Sequence, residues 1–552
     1  MSTIRITLDG DPLDVSDGTS ISDIVSQGET VRGEPIGAVA YGRLVALDCA
    51  LRAPTDVTLV YRSSREGEAI YRRTASLILL AAIRDAHPDA RVVVGQSLAG
   101  GYFFDVVDFE ETDEFLVDIE RRMREYIARS EPIIKARVPV DEARAAFESG
   151  GHPDKVALLQ ARRSSHINVV RLGSFCDIQH GPVAPHCGYI DEFGLLRYPP
   201  GLILRFSNSR KKGAPRVAPQ QPQLFKTYRE TREWNEILGI DNVGRLNQLV
   251  IAGEEKELIR VAEGFHEKKV AAIADMIVER RPDVRLVLIS GPSSSGKTTF
   301  SKRLSLQLRV AGIRPVALSM DNWYVNRVDT PRDPKTGDYD FECIEALDLD
   351  LFNDNLRRLL DGEEVATPGF DFKKGQRTPE DQWKPLKLAP DQILLVEGIH
   401  GLNDRLTRSV AARSRFRIYV SALTQLCLDD HNRIFTSDTR LIRRIVRDAR
   451  YRGYDAATTI LRWPSVQDGE RRWIFPFQEA ADVMFNSALL YEVSVLKVFA
   501  ERYLLAVPPS SPAFPEAYRL LRFLEYFVPI FRDDVPQISI LREFIGGSVF
   551  VY

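Results

Sequence analysis

A glycine-rich stretch at residues 291–298 has the residue types and the spacing needed to hold phosphate groups. It reads Gly-Pro-Ser-Ser-Ser-Gly-Lys-Thr and stands between an apolar run, 286–289, and a helical segment that begins near Thr299. Glycines at both ends of the loop, Gly291 and Gly296, let the backbone curl until its N–H groups point at phosphate oxygens. The positive end of the following helix adds to that attraction. The sequence therefore predicts a nucleotide-phosphate site in this loop.

The two residues after Gly296 have side chains suited to the outer phosphates and to a metal ion. An ammonium at Lys297 can reach the outer phosphates, and the Thr298 hydroxyl can ligate magnesium. ATP and Mg²⁺ are thus the predicted cofactors. We expect the nucleotide to contact eight residues of the loop and helix start, namely Gly291, Ser293, Ser294, Ser295, Gly296, Lys297, Thr298 and Thr299.

Carboxylates follow two further apolar strands of the same region. Glu397 comes after the run 393–396, and Asp321 after the run 316–320. In a parallel nucleotide-binding sheet the carboxyl ends of the strands face the ligand. Glu397 is therefore a candidate magnesium ligand, directly or through water. Asp321 is a candidate base that accepts a proton from an attacking hydroxyl, although an aspartate at a strand end is also common in turns.

A run of arginines lies at helical spacing further along the chain. Arg440, Arg443, Arg444 and Arg447 fall on one face of one helix, with Arg450 and Arg452 close behind. Like charges at this spacing repel one another, and a polyanion would relieve that repulsion. We expect a lid that grips the triphosphate, with Arg440 and Arg443 as catalytic contacts. Pairing with acids elsewhere in the chain and an RNA-binding patch are the alternatives.

The elements that would position these residues alternate between strand and helix from about residue 284 to residue 490. This alternation predicts an α/β fold with a parallel sheet and helices on both faces. Ile4, Ile6 and Leu8 alternate with polar residues, which predicts a small β-rich module over residues 1–61, and 62–206 predict a mixed α+β domain. Residues 207–222 are basic and proline-rich, typical of a linker. A helical connector, 223–283, and a helical extension, 491–552, complete the prediction.

Length and composition exclude several classes of protein. The chain has 552 residues, a formal net charge of −3 and five scattered cysteines. A chain of this length predicts three or four domains, and its charge gives no global indication of nucleic-acid or membrane binding. An odd number of cysteines without a CxxC pair excludes a disulfide framework and a thiolate zinc site. With no apolar signal core and no membrane-spanning stretch, we predict a cytoplasmic protein.

Residues 284–490 resemble the uridine kinase / phosphoribulokinase family of P-loop kinases. The resemblance rests on the loop 291–299, on 321–324 (Asp-Asn-Trp-Tyr), on Glu397-Gly398 and on the arginine helix 438–448 with Arg452-Gly453. It implies ATP-dependent phosphorylation of a hydroxyl, in that family usually the 5′-hydroxyl of a nucleoside. It also implies that Asp321 is the base, that Thr298 and Glu397 are magnesium ligands, and that Arg440 and Arg443 are substrate or lid contacts.

The acceptor pocket departs from that family's pattern. Where the family carries a phenylalanine–aspartate pair for the ribose hydroxyls, this sequence has Phe341-Glu342. Where the family has a tyrosine and a histidine that address the pyrimidine, this sequence has Phe370 and Gly375. The candidate acceptor residues are thus Glu342, Phe370, Asp371 and Arg377. Loss of polar partners for a base edge weakens discrimination, so the identity of the acceptor stays open.

The N-terminal part resembles two other domains, both from threonyl-tRNA synthetase. Residues 1–61 look like the TGS domain and 62–206 like the editing domain, on the stretches 70–77 and 175–182. The four editing positions are occupied by Arg73, Leu77, Gln179 and Val183, none of which suits a metal ligand or general base in that scheme. The resemblance implies a degenerate domain, with His180 and His186 as ordinary polar residues.

Three hypotheses follow for the whole chain. The first is an ATP- and Mg²⁺-dependent nucleoside kinase, a phosphotransferase with an alcohol acceptor. The second is a kinase for another hydroxyl acceptor, such as a sugar phosphate. The third is an RNA-associated regulatory protein that uses ATP binding as a switch, with RNA bound through the N-terminal half; it predicts salt-sensitive RNA binding. No membrane partner is expected, and the sequence does not define the oligomeric state.

Overall fold

The computed structural model of the chain describes residues 3–26, 34–107, 109–207, 220–333, 337–371 and 374–551. Most of the linker predicted at 207–222 lies outside these residues. Within them, no helix combines the length and the apolar character needed to cross a membrane.

The N-terminal module is a five-stranded sheet with one short helix. Its strand order is β2-β1-β5-β3-β4, and β1 and β5 run parallel. The Ser20 hydroxyl accepts a hydrogen bond from the Asp23 N–H (3.1 Å) at the start of the helix. The β-rich module predicted from the sequence is therefore confirmed. Its elements are β1 (Thr3–Leu8), β2 (Asp11–Ser16), α1 (Ile21–Ser26), β3 (Pro35–Ala40), β4 (Arg43–Val45) and β5 (Asp56–Tyr61).

The second part packs two antiparallel sheets around a long helix. One sheet has the order β11-β12-β7-β6 and the other β10-β9-β8. Ser64 caps the long helix, α2, by accepting a hydrogen bond from the Gly67 N–H (3.0 Å), as N-cap serines commonly do. The elements are α2 (Arg65–Ala86), β6 (Arg91–Leu98), β7 (Gly101–Val107), α3 (Asp113–Ala128), β8 (Ile134–Pro139), α4 (Val140–Ser149), α5 (Pro153–Gln160), β9 (His166–Leu172), β10 (Phe175–Ile178), β11 (Phe193–Tyr198) and β12 (Gly201–Phe206).

Three helices connect this part to the parallel sheet. They are α6 (Pro222–Ile237), α7 (Val243–Ala252) and α8 (Glu255–Glu279). Gly239 and Gly253 adopt positive φ angles of 66° and 79° where the first two helices end. Glycine adopts this left-handed conformation without a Cβ penalty, which explains why the predicted helical stretch is divided.

A five-stranded parallel sheet forms the centre of the third part, as predicted. Its order is β14-β19-β13-β20-β23. The elements of this part are β13 (Leu286–Ser290), α9 (Lys297–Val310), β14 (Arg314–Ser319), α10 (Leu349–Leu360), β15 (Glu364–Thr367), β16 (Phe370–Asp371), β17 (Gln376–Arg377), β18 (Lys384–Lys387), β19 (Gln392–Glu397), β20 (Arg415–Ser421), β21 (Cys427–Asp429), β22 (Asn432–Arg433), α11 (Thr436–Arg447), α12 (Ala456–Trp473) and β23 (Val483–Asn486).

Both faces of this sheet are buried. Along β13, Val287 and Ile289 pack into one hydrophobic cluster while Leu286 and Leu288 pack into another on the opposite face. A parallel strand that is buried on both faces needs apolar residues at successive positions, because its side chains point alternately to the two faces. This explains why the run 286–289 has no polar alternation.

The C-terminal helices pack against the parallel-sheet region. They are α13 (Glu492–Leu505), α14 (Phe514–Leu524) and α15 (Arg542–Ile545). Leu520, Leu521, Leu524 and Phe527 lie at helical spacing, which predicts core positions. Leu520, Leu524 and Phe527 are 0–2% exposed and share one hydrophobic cluster with the sheet, whereas Leu521 is only partly buried against that cluster. The segment predicted as an extension is therefore part of the core beside the loop 291–298.

A buried charge cluster joins the second part to the hairpin β21–β22. The Lys155 ammonium, on α5, is fully buried and lies 2.9 Å from carboxylates of both Asp177 and Asp429. Burial lowers the pKa of Lys155, but these carboxylates raise it more, so the net shift is upward. His180 contacts the Asp429 carboxylate at 3.1 Å, and His431 contacts the Asp177 carboxylate at 3.0 Å. Because α11 follows the hairpin, this cluster helps to fix where the arginine helix begins.

Candidate nucleotide and acceptor site

The predicted phosphate loop lies between β13 and α9, with the backbone geometry that its glycines allow. Gly291 and Gly296 have φ angles of 156° and 84°. A Cβ atom on Gly291 would lie 1.9 Å from the Val420 carbonyl oxygen, and one on Gly296 would lie 2.6 Å from Ile540 Cγ2. Cβ atoms in proteins essentially never come within 3.0 Å of another heavy atom. Both glycines are therefore required by close packing as well as by backbone conformation.

Lys297 is the first residue of α9 and lies inside a group of carboxylates. Its Nζ donates a hydrogen bond to the Pro292 carbonyl oxygen (3.1 Å). Burial lowers the pKa of Lys297, while the nearby charges of Glu397 and Asp321 oppose that shift. The ammonium is thus held at the loop, close to both predicted catalytic carboxylates.

Thr298, on the first turn of α9, meets Glu397 at the carboxyl end of β19. The Thr298 hydroxyl lies 3.0 and 3.1 Å from the two carboxylate oxygens of Glu397 and donates to that group. Burial raises the pKa of Glu397 to about 7; Lys297 opposes this shift and Asp321 adds to it. A hydroxyl and a carboxylate in contact beside the predicted phosphate loop form a donor set suited to Mg²⁺.

Asp321 lies two residues after the end of β14, a strand that is hydrogen-bonded to β19. Burial raises the pKa of Asp321, and the positive charges of Lys297, Arg452 and Arg447 oppose this shift. A raised pKa makes a carboxylate a stronger base, as a proton acceptor requires. The ends of β14, β19 and β13 therefore bring together Asp321, Glu397 and the phosphate loop.

Arg440 and Arg443 lie on α11 as predicted, but they face the interior. Arg440 is 3% exposed, forms an ion pair with Glu470 and donates twice to the Ser293 carbonyl oxygen (2.9 and 3.0 Å). Arg443 is fully buried and pairs with Glu492. Acids elsewhere in the chain already neutralise both arginines, which agrees with the alternative of pairing with distant acids, and contact of Arg440 and Arg443 with the triphosphate stays a prediction. Both arginines support the phosphate loop from the interior of the protein.

Three other arginines surround Asp448 on the side of Asp321. Arg444, Arg447 and Arg452 lie 3.3, 2.8 and 3.7 Å from its carboxylate. The charge of Arg447, together with burial, lowers the pKa of Arg452 to about 10, which reports how close the cations are. Three cations share one carboxylate, so positive charge remains available to an anion. Of the predicted arginine face, Arg447 and Arg452 are therefore the better candidates for phosphate contact.

The serines of the loop are held by these same side chains. Arg444 donates to the Ser293 hydroxyl (2.9 Å) and Arg443 to the Ser294 carbonyl oxygen (3.4 Å). The Ser487 hydroxyl donates to the Ser295 carbonyl oxygen. The carbonyl oxygens of Ser294 and Ser295 thus accept hydrogen bonds from the protein, and α11 and Ser487, which follows β23, hold the loop in place.

Glu342, a predicted acceptor residue, lies among Tyr324, Arg444 and α12. Its side chain packs on Gly469, where a Cβ atom would lie 2.3 Å from the Glu342 Cβ. Burial raises the pKa of Glu342 to about 7, against the charge of Arg444. Its Oε2 is buried and makes no hydrogen bond among the described atoms. This oxygen is a candidate acceptor for a substrate hydroxyl.

The other predicted acceptor residues divide into two groups. The Phe370 ring lies 5.7 Å from the Tyr324 ring, next to Asp321. By contrast, Arg377 donates to the Trp323 and Tyr324 carbonyl oxygens (3.3 and 3.2 Å), so it supports the loop that carries Asp321. Asp371 accepts a hydrogen bond from the Lys374 N–H (3.1 Å) in the turn between β16 and β17. Residues 372–373 of this stretch lie outside the described residues.

Glu543, which sequence reasoning missed, comes from the other end of the chain. Its Oε2 accepts hydrogen bonds from the Thr299 hydroxyl (2.7 Å) and N–H (3.4 Å) at the start of α9. Nothing local in the stretch 540–546 indicates this contact. Only the packing of the C-terminal segment on the phosphate loop creates it.

The predicted degenerate editing positions are filled by packing contacts. Arg73 donates to the Pro182 carbonyl oxygen (2.6 Å), while Leu77 and Val183 are 5% and 1% exposed. Among the described residues, no group of three or more His, Cys, Asp or Glu side chains could hold a metal ion.

Comparisons with known proteins match the two halves of the chain to different groups. The "Phosphoribulokinase / Uridine kinase family" model matches residues 286–494. Threonine–tRNA ligases match the N-terminal region: that of Clostridium kluyveri is 30% identical over 197 residues, and that of Polaromonas naphthalenivorans 29% over 198. Each of these alignments covers 35% of this chain and 31% of the ligase, so the chain spans about a third of the length of the curated relatives it matches.

Two solved structures with similar segments are more distant in sequence. One, titled "Structure of a Possible Uridine Kinase from Bacillus stearothermophilus", is 20% identical, with 40% of this chain and 98% of that chain covered and a TM-score of 0.27. D-glycerate 3-kinase from Cryptococcus neoformans var. grubii is 15% identical, with coverage of 48% and 89% and a TM-score of 0.21. Both predicted resemblances are confirmed: residues 286–494 match the phosphoribulokinase / uridine kinase family, and the N-terminal region is similar to threonine–tRNA ligases.

Proposed function

We propose that this chain is a kinase that transfers the γ-phosphoryl group of ATP to a hydroxyl of a small acceptor, with a nucleoside as the first candidate. The observation that carries the proposal is the meeting of three groups at adjacent strand ends. These groups are the phosphate loop with Lys297, the Thr298–Glu397 pair and the buried Asp321. Each supplies one requirement of phosphoryl transfer, which depends mainly on positioning and charge stabilisation.

The residues present fit a magnesium–nucleotide complex. Gly291 and Gly296 permit a close backbone approach, and the first N–H groups of α9 point out of the helix end, where phosphate binds well. Thr298 and Glu397 would hold Mg²⁺, and Lys297 would hold the outer phosphates. When bound, the metal ion neutralises the charge that develops on the transferred group.

Asp321 is the proposed general base. Its raised pKa favours proton uptake, and the positive charges of Lys297, Arg452 and Arg447 oppose that shift. The acceptor hydroxyl would give its proton to a carboxylate oxygen of Asp321 as the new O–P bond forms and the bond between the γ-phosphorus and the bridging oxygen of ATP breaks, with ADP as the leaving group. Arg447 and Arg452 lie on that side of the site, where they would stabilise the transferred group.

Glu342 supports an acceptor with more than one hydroxyl. Its buried Oε2 would accept a hydrogen bond from a neighbouring hydroxyl of a ribose or another polyol. A nucleoside is the acceptor that the family match favours. The Phe370 ring could stack on the base of that nucleoside but has no hydrogen-bonding group, so it would discriminate only weakly among bases.

A second candidate acceptor, a sugar phosphate or another anionic polyol, is favoured by the surroundings of Gly375. A Cβ atom there would lie 2.6 Å from Arg327 Nε and 2.9 Å from its Nη2. A guanidinium thus occupies the space beside the residue that replaces the family's histidine. Guanidinium groups bind phosphate through paired hydrogen bonds, so this position suits an anionic acceptor.

The test is an acceptor panel with the purified chain, ATP and Mg²⁺. ADP formation would be measured with purine and pyrimidine nucleosides, pentose and hexose phosphates and simple polyols, and products identified by mass spectrometry. One acceptor that raises turnover and gains a phosphoryl group supports the proposal. Hydrolysis that no acceptor stimulates, together with salt-sensitive RNA binding, would instead support the RNA-associated switch.

A further inference from the structure

A carboxylate from the C-terminal segment lies on donors that the nucleotide needs. Thr299 is the third residue of α9, and its N–H belongs to the set that has no partner within a helix. In a phosphate loop of this type, these first N–H groups point at the nucleotide phosphates. Yet both the Thr299 N–H and its hydroxyl are bonded to Glu543 Oε2, at 3.4 and 2.7 Å.

The segment that carries Glu543 is packed firmly onto the loop and onto α11. Ile540 lies against Gly296, with its Cγ2 2.6 Å from where a Cβ atom would be. The Phe544 ring lies 5.2 Å from the Arg443 guanidinium. Arg542, 7% exposed, donates to the carbonyl oxygens of Arg532 (3.0 Å) and Gly546 (3.2 Å), which ties the segment into a compact turn. Glu543 is therefore presented to Thr299 by a well-ordered contact surface.

Charge makes this contact incompatible with a phosphate at the same donors. Lys297, Glu397 and Asp321 already place one cation and two carboxylates in the site, and Glu543 adds a further negative charge within electrostatic reach of Lys297. A phosphate group at Thr299 would meet this carboxylate directly. Like charges in contact at a partly buried site repel strongly, so both cannot occupy it.

We propose that Glu543 competes with a nucleotide phosphate for Thr299, so that nucleotide binding requires the C-terminal segment to withdraw this carboxylate. The proposal rests on the proposed function, because it assumes that a nucleoside triphosphate binds this loop. It makes the C-terminal segment a determinant of nucleotide affinity. The bound nucleotide would in turn loosen the contact between that segment and the loop.

ATP affinity, measured by calorimetry with Mg²⁺ on the full chain, tests the competition. Glu543→Gln removes the charge and keeps the size of the side chain. The matched control is Glu525→Gln, which removes an exposed carboxylate of the C-terminal region that pairs with Arg522 at 2.7 Å. We expect Glu543→Gln to tighten ATP binding by about tenfold to a hundredfold, the range that corresponds to one charge-assisted hydrogen bond. Glu525→Gln should leave the affinity unchanged.

Two results would overturn the competition while leaving the kinase proposal intact. Equal ATP affinity in wild type and Glu543→Gln, or weaker binding in the variant, would mean that Glu543 only caps α9. A cap would also show itself as a lower Tm of the variant without ATP. If neither protein bound ATP at all, the proposed function itself would fail, and this inference with it.

Hydrogen exchange gives a second, independent readout. Saturating ATP and Mg²⁺ should raise amide exchange across residues 538–547 of the wild type, because the Glu543 contact is lost. Glu543→Ala without nucleotide should already show raised exchange in the same residues. Unchanged exchange in the wild type on ATP binding would contradict withdrawal of the segment.

Discussion

Replacing Arg440 by Met tests whether the arginines of α11 hold the phosphate loop or contact the phosphate. Arg440 and its partner Glu470 are 3% and 1% exposed, and the guanidinium also donates twice to the Ser293 carbonyl oxygen. Methionine fills much of the space but leaves the Glu470 carboxylate buried without its cation. Breaking a buried pair from one side costs about 3–5 kcal/mol. The Tm should fall by roughly 6–20 °C for an unfolding unit of 150–250 residues.

Arg447→Met is the matched comparison on the same helix. Arg447 lies 2.8 Å from Asp448, but that carboxylate keeps Arg444 at 3.3 Å and Arg452 at 3.7 Å. Loss of one cation among three leaves no buried charge unpaired, so the stability cost should stay below about 1 kcal/mol. Because Arg447 lies close to Asp321, kcat should fall by about 10²–10³, the size of one lost transition-state contact.

Differential scanning calorimetry and steady-state kinetics on both variants separate the two roles. The double variant Arg440→Met/Glu470→Leu removes both charges and should recover most of the lost Tm, because no unpaired carboxylate remains. The reasoning would be refuted if Arg440→Met kept the wild-type Tm and lost only turnover. It would be refuted equally if Arg447→Met unfolded as early as Arg440→Met.

The remaining predictions concern the domain junction, the acceptor side and the base. Lys155→Met removes the buried ammonium between Asp177 and Asp429 and should lower the free energy of unfolding in urea by about 3–5 kcal/mol. Lys135→Met, at a partly exposed pair, should cost under about 1 kcal/mol, and equal losses would contradict the role of burial. Burial raises the pKa of Glu342 to about 7, so this group becomes protonated between pH 8 and pH 6 and loses the charge with which it would accept hydrogen bonds from substrate hydroxyls. The acceptor KM should therefore rise about tenfold from pH 8 to pH 6, and Glu342→Gln should abolish this dependence. Asp321→Asn should lower kcat by about 10²–10⁴ with ATP affinity nearly unchanged, whereas parallel losses of both would assign Asp321 to structure or to metal binding.

The sequence predicted the parts of the site whose chemistry is local. The loop 291–298, the strand before it and the helix after it form one continuous segment, so residue types and spacing were enough. Glu397 and Asp321 could be placed because parallel strands put their carboxyl ends at one edge of the sheet. The order of the strands in the sheet then determined that these ends are neighbours.

What could not be predicted depends on contacts between distant parts of the chain. The arginine face of α11 was recognised, but its partners Glu470 and Glu492 lie 30 and 49 residues away from Arg440 and Arg443, respectively. Glu543 lies 244 residues from Thr299. A contact with a carboxylate at such a separation has no periodicity or spacing in the sequence from which it could be predicted. The choice between a lid contact and a buried support therefore required the packing.

The junction around Lys155 illustrates the same limit in the N-terminal half. Lys155 lies 274 residues before Asp429, and neither residue belongs to a recognisable motif. His180, expected to be an ordinary polar residue, contacts the Asp429 carboxylate of this cluster at 3.1 Å. The resemblance to an editing domain indicated the fold of this region but not that it anchors the hairpin before α11.

The most direct test of the proposed phosphoryl transfer is acceptor-dependent ADP formation by the wild type and by Lys297→Ala under identical conditions. Lys297 is held at the phosphate loop with carboxylates around it, so its loss should reduce acceptor-dependent turnover by at least about 10²-fold while far-UV circular dichroism stays that of the wild type. A folded Lys297→Ala protein that phosphorylates the same acceptor at the wild-type rate would contradict the assignment of this loop as the site of catalysis.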